Sequence, residues 1–337
     1  MEFETTILSD SAEDIAAAAE IVKKGGVVGM PTETVYGLAA NALDPDAVAD
    51  IFKAKGRPQD NPLIVHIAEY EELDRLVCDV PDTARKLAEH FWPGPLTMVL
   101  KKRDIIPMVT SGGLDTVGIR FPVHKTAREF IRACGAPIAA PSANLSGSPS
   151  PTSAKHVYDD MHGRIPAIID GGECPVGVES TVVCFEGDAV KILRPGFVSG
   201  EDMKAAGFRV LYARGITEEI AAGEKVLSPG MKYKHYSPKA NVTIVEGTDS
   251  GFMSFAEAHS GDGVYFMIFG REGDFPYNNM VYGNTPEEQA RTLFGCLREA
   301  DDIGAKQVYV RCPEKSGVGL AVYNRLLRAA AFETVTV

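Results

Sequence analysis

Closely spaced cysteines are absent from this sequence of 337 residues, although it contains six cysteines in total. The six lie far apart and form no Cys-x-x-Cys motif, which argues against a zinc knuckle and against a dense disulfide framework. No run of residues approaches the roughly 20 apolar positions that span a bilayer. The first residues, MEFETTILSD, also lack the basic and apolar regions of a signal peptide. We therefore expect a cytoplasmic protein with reduced thiols and without a membrane partner.

Positive charge is also scarce, because 34 basic residues face 46 acidic residues and leave a formal net charge of −12. A strongly acidic chain attracts phosphate backbones poorly, so we expect direct binding to nucleic acid to be weak or missing. The hydrophobic fraction of 45% and the charged fraction of 24% are ordinary for folded proteins and argue against disorder. The length is about twice that of a typical domain, which favours two domains.

Helix and strand patterns alternate along the N-terminal part, and strands outnumber the helices that connect them. Some strand pairs must therefore be antiparallel, which predicts a twisted mixed sheet of the α/β class. In the C-terminal part, strands and helices alternate regularly, which predicts a small parallel Rossmann-like domain. Between them, Lys225–Lys239 has neither period and is interpreted as a linker. The predicted division is a catalytic domain at 1–210, a linker at 211–240 and a C-terminal domain at 241–337.

Individual elements follow from caps and apolar spacing. Ser11 is placed to cap a helix that Gly25 and Gly26 end. Asp44 and Pro45 open a second helix. Further helices are predicted at 81–91, 252–258, 285–300 and 320–330. Strands are predicted at 27–30, 63–68, 96–100, 117–121, 137–140, 167–169, 180–185, 190–193, 242–245, 264–269 and 307–310.

Polar segments rich in glycine and proline follow several of the predicted strands. In the segment PTETVYGL, Thr32 and Thr34 point to the same side of an extended chain, so their hydroxyls could line a pocket. A simple polar turn is the alternative interpretation. Lys55 and Arg57 stand at the end of the second helix, where they either offset the helix dipole or clamp a phosphate.

Two charged or polar residues interrupt apolar strands. A single histidine such as His66 in a strand is usually structural. Arg120 is costly to bury unless an anion meets it, and either a ligand carboxylate or an internal acidic residue would serve. The loop at 140–152 is dense in hydroxyls and free backbone N–H groups, so it could cradle a phosphate or nucleotide. It does not match a Walker A motif.

Together these motifs resemble the YrdC-type family, in its two-domain, threonylcarbamoyl-AMP synthase branch. The resemblance covers roughly residues 5–205. It rests on PTETVYGL, Lys55-x-Arg57, Ser142-x-Asn144, GVEST at 177–181 and LRPG at 193–196. In the remainder, SPGMKYKHYSP resembles the linker of that branch. Gly317–Ala321 and Asn324–Leu326 resemble its C-terminal domain, and Gly-Val-Gly alone does not indicate NAD binding.

The resemblance implies an ATP-dependent nucleotidyltransferase with a YrdC-type sheet. Such an enzyme condenses L-threonine, bicarbonate and ATP to threonylcarbamoyl-AMP and pyrophosphate, and Mg²⁺ arrives with ATP. A separate transferase then uses the adenylate to modify tRNA, so this chain is expected to bind tRNA weakly or not at all.

Individual residue roles are implied by similarity to the family. The implied catalytic residues are Lys55, Arg57, Ser142 and Asn144. The implied threonine-binding residues are Thr34, His66, Arg120, Ala140 and Ser180. The implied ATP-binding residues are Arg57, Asn61, Thr116, Ser142, Ser150, Arg194 and Tyr236. The resemblance implies no metal ligand on the protein itself.

The linker is a basic, aromatic strip in an acidic protein. We expect it to fold over the nucleotide and to shield an unstable adenylate with Lys232, Lys234, His235 and Tyr236. Its proline and aromatic content favours an ordered segment over a solubilising tether, which is the alternative.

Two other functions are compatible with a domain of this type. One is an RNA-binding module that acts in translation, which the acidic balance disfavours. The other is a carbamoyl-transfer domain of hydrogenase maturation, which shares the YrdC-type fold. The linker and the C-terminal motifs fit the synthase better.

Overall fold

The computed structural model describes residues 3–56, 61–218 and 236–337, where short strands alternate with helices. The helices of these ranges are α1 (Ala12–Lys23), α2 (Pro45–Lys55), α3 (Leu73–Leu76), α4 (Asp82–Phe91), α5 (Lys125–Cys134), α6 (Ala154–Met161), α7 (Gly200–Ala205), α8 (Asp249–His259), α9 (Pro286–Asp302) and α10 (Gly317–Ala329). The strands are β1 (Thr6–Leu8), β2 (Val28–Met30), β3 (Gly37–Asn41), β4 (Ile64–His66), β5 (Leu96–Lys101), β6 (Thr116–Arg120), β7 (Ile138–Ala139), β8 (Ala167–Ile169), β9 (Thr181–Glu186), β10 (Ala189–Arg194), β11 (Val210–Tyr212), β12 (Asn241–Glu246), β13 (Val264–Ile268), β14 (Asn279–Val281), β15 (Gln307–Arg311) and β16 (Thr334–Thr336). Single-turn 3₁₀ helices add Tyr70–Glu72, Arg214–Ile216 and Gly270–Glu272.

The larger sheet has eleven strands in the order β1-β8-β2-β3-β7-β4-β6-β5-β9-β10-β11. Its pairings are mixed, because β4 runs parallel to β6 whereas β5 runs antiparallel to β6. This arrangement confirms the predicted mixed α/β sheet.

The first helix shows how local signals fix the elements of this sheet. Ser11 accepts a hydrogen bond from the Asp14 N–H, and the buried face of α1 is formed by apolar residues between Ile15 and Val22. Gly25 follows with a φ of +83°, a left-handed conformation that suits glycine and ends the helix. The predicted cap, apolar face and stop are therefore confirmed.

The smaller sheet has the strand order β14-β13-β15-β12-β16, and its pairings are parallel. The helices α8, α9 and α10 connect its strands along the chain. This is the predicted Rossmann-like topology, in which crossover helices join parallel strands. The two edge strands, β14 and β16, are absent from the sequence-based prediction because each has three residues, too few to show a period.

Strand register in the larger sheet aligns polar side chains from neighbouring strands. His66 of β4 lies opposite Arg120 of β6, and Arg120 lies opposite Thr97 of β5 on its other side. Thr181, the first residue of β9, pairs with Leu96, which brings Ser180 to the same region. Because adjacent strands lie about 4.8 Å apart, these residues form a row across the sheet.

The two sheets share apolar contacts through the loop before β9. Val176 and Val178 belong to the same buried cluster as Phe294 of α9 and Val322 of α10. Gly177 lies between them with a φ of +81°, and a Cβ there would stand 2.3 Å from the Arg291 Cα. Only glycine allows the loop to approach α9 so closely.

Candidate active site

A cleft of about 750 Å³ opens beside the row of polar side chains. Most of the residues that the resemblance singled out line it, and they come from distant parts of the sequence. The predicted residues in its lining are Thr34, Lys55, His66, Arg120, Ala140, Ser142, Asn144, Ser180, Arg194 and Tyr236. A concave site with several converging polar groups is the usual form of a small-molecule site.

Three of the predicted residues that the structure describes do not appear in this lining. Asn61 and Ser150 are buried, and Thr116 is partly buried at the start of β6. The Asn61 Nδ2 and the Thr116 Oγ1 have no hydrogen-bond partner in the part of the chain that the structure describes. Arg57 lies outside the described residues.

Arg120 lies at the bottom of the cleft and meets an internal acid. Its Nη2 is 2.7 Å from the Glu33 Oε1, and both side chains are 95% buried. Its Nη1 donates a 2.8 Å hydrogen bond to the Thr34 Oγ1. Of the two anions expected beside Arg120, the structure therefore contains the internal one.

The approach of Arg120 to Glu33 is an ion-pair contact without hydrogen-bond geometry. The Arg120 Nε and Nη2 and both carboxylate oxygens of Glu33 are buried and have no hydrogen-bond partner among the described residues. Buried charged groups are normally hydrogen-bonded, because leaving them unpaired costs free energy. Arg120, which lines the cleft, therefore keeps donors available for a polar ligand.

The hydroxyls of Thr32 and Thr34 lie 2.9 Å apart, on the same side as predicted, although the chain bends at 33–35 and is not extended there. Thr32 also donates to the Val35 carbonyl and accepts from the Thr34 N–H, at 2.6 and 3.1 Å. Both residues line the cleft and are buried. The segment is therefore a polar turn whose hydroxyls line the cleft, so the two interpretations of its sequence are compatible.

His66 lines the cleft as a buried neutral imidazole. Burial and, to a lesser extent, the positive charge of Arg120 together lower its pKa to about 3. Its Nδ1 lies 3.2 Å from the Ile64 carbonyl, so the hydrogen is assigned to Nδ1. That assignment leaves Nε2 as an acceptor.

Ser180 is held in place from two sides. Its Oγ lies 2.8 Å from the Thr97 Oγ1 in a buried hydroxyl pair. Arg194 Nη2 donates to the Ser180 carbonyl at 2.9 Å and to its Oγ at 3.3 Å. The guanidinium of Arg194 thus orders Ser180 and brings a second buried positive charge to the cleft.

Lys55 brings a third positive charge and organises the loop after β7. Its Nζ donates to the Ser142 carbonyl at 2.5 Å and to the Asn144 carbonyl at 2.8 Å. Asn144 in turn donates from Nδ2 to the carbonyls of Leu145 and Ser148. These bonds tie the Lys-x-Arg and Ser-x-Asn motifs into one structural unit.

Glu179 joins the cleft to the C-terminal part of the chain. Its Oε1 accepts a 2.5 Å hydrogen bond from the Ser150 hydroxyl, and its Oε2 accepts a 2.9 Å bond from the Arg325 Nε. Burial alone raises the pKa of Glu179, but the charges of Arg325 and Arg194 and the bond from Ser150 outweigh burial and hold this pKa below its ordinary value. Glu179 is therefore an anion in the folded protein.

Tyr236 is the residue of the predicted linker strip that the structure describes, and it lines the cleft. Its ring centroid lies 5.3 Å from that of Phe294 in α9, and burial raises the pKa of its hydroxyl. The next residue, Ser237, donates its N–H to the Gly147 carbonyl at 2.9 Å. Lys232, Lys234 and His235 lie outside the described residues.

Four residues of the site did not emerge from the sequence. They are Glu33, Thr97, Glu179 and Arg325. Glu33 and Glu179 stand inside the motifs PTETVYGL and GVEST. Their place between polar motif residues was the signal in the sequence that could have identified them. Thr97 is one threonine in an apolar strand, and its role depends on the strand order.

Two family profiles together match most of the chain. A family profile described as "Telomere recombination" matches residues 20–196, and one described as "Threonylcarbamoyl-AMP synthase, C-terminal domain" matches residues 198–331. The curated threonylcarbamoyl-AMP synthase of Pyrococcus abyssi is 44% identical over 328 residues, which cover 96% of each chain. The chain belongs to the threonylcarbamoyl-AMP synthase family.

Other members of the threonylcarbamoyl-AMP synthase family agree in length and fold. The Bacillus subtilis member is 41% identical, with 97% of this chain and 95% of that protein covered. A crystal structure of P. abyssi Sua5 complexed with L-threonine matches with a TM-score of 0.91, 42% identity and 99% coverage of both chains. The family and the two-part α/β fold predicted from the motifs are therefore confirmed.

Proposed function

We propose that the protein is an L-threonylcarbamoyladenylate synthase, which condenses L-threonine, bicarbonate and ATP into threonylcarbamoyl-AMP and pyrophosphate. One observation carries the proposal, namely the buried Arg120 of the cleft lining, whose guanidinium pairs with Glu33 and still has unpartnered Nε and Nη2 donors among the described residues. An amino acid carries a carboxylate, and a guanidinium with unused donors is matched to that charged end. Full-length relatives that carry the synthase name support the same activity.

In this proposal the threonine pocket is formed around Arg120. The guanidinium binds the substrate carboxylate, and the main chain near Ala140 closes the pocket. The hydroxyls of Thr34 and Ser180 and the neutral His66 are within the same cleft and offer hydrogen bonds to the threonine hydroxyl.

ATP is proposed to occupy the part of the cleft bounded by the loop after β7. Ser142 and Asn144 are presented there by Lys55, and Arg194 adds a buried positive charge. Positive groups fixed before the reaction stabilise the charge that develops on phosphate in the transition state. Arg57, Asn61, Thr116, Ser150 and Tyr236 complete the proposed ATP-binding set.

The chemistry needs no covalent enzyme intermediate. The threonine amine and bicarbonate give a carbamate and water, and a carbamate oxygen then attacks the α-phosphorus of ATP. The bond from this phosphorus to the bridging oxygen breaks, and pyrophosphate leaves. Mg²⁺ enters as part of the MgATP substrate, since phosphate oxygens and water are its preferred ligands. The carboxylate among the described lining residues of the cleft, that of Glu179, is held by Ser150 and Arg325.

The proposed organisation keeps the catalytic part at 1–210, the linker at 211–240 and the C-terminal part at 241–337. The linker is proposed to close over the nucleotide, and the adenylate to pass to a separate tRNA threonylcarbamoyl transferase in the cytoplasm. No helix in the described ranges combines the length and apolarity that a membrane crossing requires.

The test is pyrophosphate release from MgATP, with threonine and bicarbonate omitted in turn and the adenylate detected by mass spectrometry. We expect release to need both substrates. Arg120→Lys is expected to raise the KM for threonine, because an ammonium cannot replace the forked contact. The matched control is Arg132→Lys at an exposed pair with Glu69. Pyrophosphate release that ignores threonine would contradict the proposal.

A further inference from the structure

Glu179 is an anion buried in the wall of the cleft, where an unpaired charge is costly. Its side chain has one oxygen on Ser150, a proposed ATP contact, and the other on Arg325. The following residue, Ser180, lies in the proposed threonine pocket. Any shift of Glu179 therefore acts on both substrate regions.

Arg325 belongs to α10 of the C-terminal part, and its side chain is completely buried. Its Nε donates to the Glu179 Oε2 at 2.9 Å, and its Nη2 donates to the Glu179 carbonyl at 3.2 Å. Its Nη1 donates to the Pro195 carbonyl at 2.5 Å, next to Arg194 of the cleft. The planar fork of an arginine therefore fixes two cleft segments, 179–180 and 194–195, relative to each other.

The segment before Glu179 supports the other wall of the cleft. Val176 donates its N–H to the Glu33 carbonyl at 2.9 Å, and Gly177 donates its N–H to the Thr34 carbonyl at 3.1 Å. Gly177 itself rests on the backbone of α9. The C-terminal part thus contacts, through one loop, the backbone of Glu33 and Thr34 as well as Glu179.

We propose that Arg325 is a positioning residue of the active site, which acts through Glu179 to hold Ser150 and Ser180 for catalysis. On this inference, which rests on the proposed function, the C-terminal part supplies a fixed wall of the cleft. Arg325 touches no substrate. It compensates the Glu179 charge and fixes the carboxylate orientation that Ser150 requires.

The experiment compares steady-state kinetics of full-length variants. Arg325→Met leaves the Glu179 charge buried without its main partner, and Arg325→Lys keeps a charge but loses the fork. We expect kcat/KM for MgATP to fall at least about tenfold in Arg325→Met, with a rise in KM, and less in Arg325→Lys. A loss of folded protein alone would lower kcat and leave KM unchanged.

Arg311 offers a matched control in the same part of the chain. It is also buried, and it pairs with Glu272 and Asp249 and with the carbonyls of Gly247 and Thr248, all within the C-terminal part. Arg311→Met therefore removes a buried arginine without reaching the cleft. We expect it to lower the melting temperature and to leave the KM for MgATP within about twofold of the wild-type value.

A second comparison removes both charges of the pair. If the cost of Arg325→Met is the unpaired Glu179 anion, the double variant Arg325→Met/Glu179→Gln should be more active than Arg325→Met alone. Hydrogen exchange of the segments around Ser150 and Ser180, measured without substrates, should rise in Arg325→Met and stay at the wild-type level in Arg311→Met.

The outcomes separate this inference from the proposed function. If the wild-type protein releases no pyrophosphate with threonine and bicarbonate, the proposed function is wrong, and hydrogen exchange still tests the positioning role. If the wild-type protein is active but Arg325→Met matches Arg311→Met in KM and exchange, the positioning role is wrong. A double variant whose two losses simply add would also overturn it.

Discussion

At the residue scale, the polar side chains of the cleft are fixed by bonds to one another before any substrate binds. Thr34 is bonded to Arg120, and Ser180 is bonded to Thr97 and Arg194. Because of this preorganisation, substrate binding does not have to order mobile side chains, so it costs little conformational entropy. It also makes the site sensitive to a missing partner group.

Substrate choice should show this sensitivity. Valine has the shape of threonine but lacks its hydroxyl, so it would leave polar groups of Thr34, His66 or Ser180 unpaired. That loss costs roughly 1–3 kcal/mol, or about fivefold to 150-fold in kcat/KM. We expect valine to be a poor substrate and serine to keep some activity in the pyrophosphate assay. Equal turnover of valine and threonine would contradict the proposed hydroxyl contacts.

The buried His66 predicts an acid-sensitive fold. Its pKa is about 3 in the folded protein against an ordinary 6.5, so the unfolded chain binds the extra proton more readily between these values. The contribution of neutral His66 to the free energy of unfolding is complete above pH 6.5 and is lost progressively as the pH falls towards 3. Between pH 7 and 5 the loss is about 2 kcal/mol.

The measurement is denaturant unfolding at pH 7 and pH 5. The free energy of unfolding should fall by less in His66→Gln than in the wild-type protein, while His90→Gln, at an exposed histidine, should follow the wild-type protein. The half-buried His156 acts in the same direction, because burial also lowers its pKa, to about 4. Identical pH slopes for His66→Gln and the wild-type protein would exclude this explanation.

Prediction from sequence reached most site residues but not their partners. Arg120 is recognisable because an arginine in an apolar strand needs an anion. Nothing in the sequence chose Glu33 over a substrate carboxylate, because that choice depends on how β6 lies against the segment after β2. Arg325 was visible only as part of a motif, since its partner Glu179 is 146 residues away along the chain.

At the scale of elements, caps and periods predicted six of the ten helices of the described residues. The short helices α3, α6 and α7 were missed, although Ser153 caps α6 and Ser199 caps α7. The helix α5 was missed although Lys125–Cys134 is amphipathic and Gly135 ends it with a φ of +69°. The strand β3 had no usable signal, since its sequence GLAAN contains small residues without alternation. It is buried between β2 and β7, so its conformation comes from its neighbours.

The loop before β9 depends on Gly177 for its contact with α9. In Gly177→Ala the added Cβ would stand 2.3 to 2.4 Å from atoms of Arg291 and Ala290. The alanine would also have to adopt the left-handed backbone of this position. Gly172→Ala is a matched control, because its φ is also +81° but nothing lies within 4 Å of its added Cβ. We expect about 1–2 kcal/mol of destabilisation at Gly172 from the backbone and about 2–3 kcal/mol more at Gly177 from the clash.

Thermal and denaturant unfolding of the two alanine variants measures this difference. Pyrophosphate release should fall in Gly177→Ala even under conditions where it is fully folded, because the same loop carries Glu179. Equal stability of the two variants would show that the loop moves away from α9 at little cost.

At the scale of the whole molecule, the C-terminal part covers an apolar and charged surface of the catalytic part. Val35, Val176 and Val178 are buried in one cluster with residues of α9 and α10. The 2.9 Å bond from Arg325 to Glu179 is buried and joins the two parts as well. Asn324 and Arg328 donate, both at 2.6 Å, to the carbonyls of Ile216 and Gly215 in the segment assigned to the linker. The two parts therefore meet through apolar packing and through a buried polar bond.

A chain that stops near Gly223 tests this dependence. We expect the fragment to fold, because the larger sheet keeps its own apolar core. It should melt at a lower temperature than the full chain and lose most synthase activity, since Glu179 loses Arg325 and the cleft loses Tyr236. Alanine at His235 and Tyr236 in the full chain should reproduce part of the activity loss with less effect on melting. A folded fragment with the full synthase rate would contradict two proposals: that the linker closes over the nucleotide, and that the C-terminal part supplies a wall of the cleft.

The contact surface between the two parts has the composition of an interface between separate proteins, because it contains the fully buried Arg325 and the buried Tyr236. In those terms the covalent connection chiefly sets an effective concentration of one part at the surface of the other. An interface of this kind needs only modest intrinsic affinity, because each separation is followed by rebinding within the same molecule. The connection thereby keeps the cleft assembled without requiring a high intrinsic affinity between the two parts.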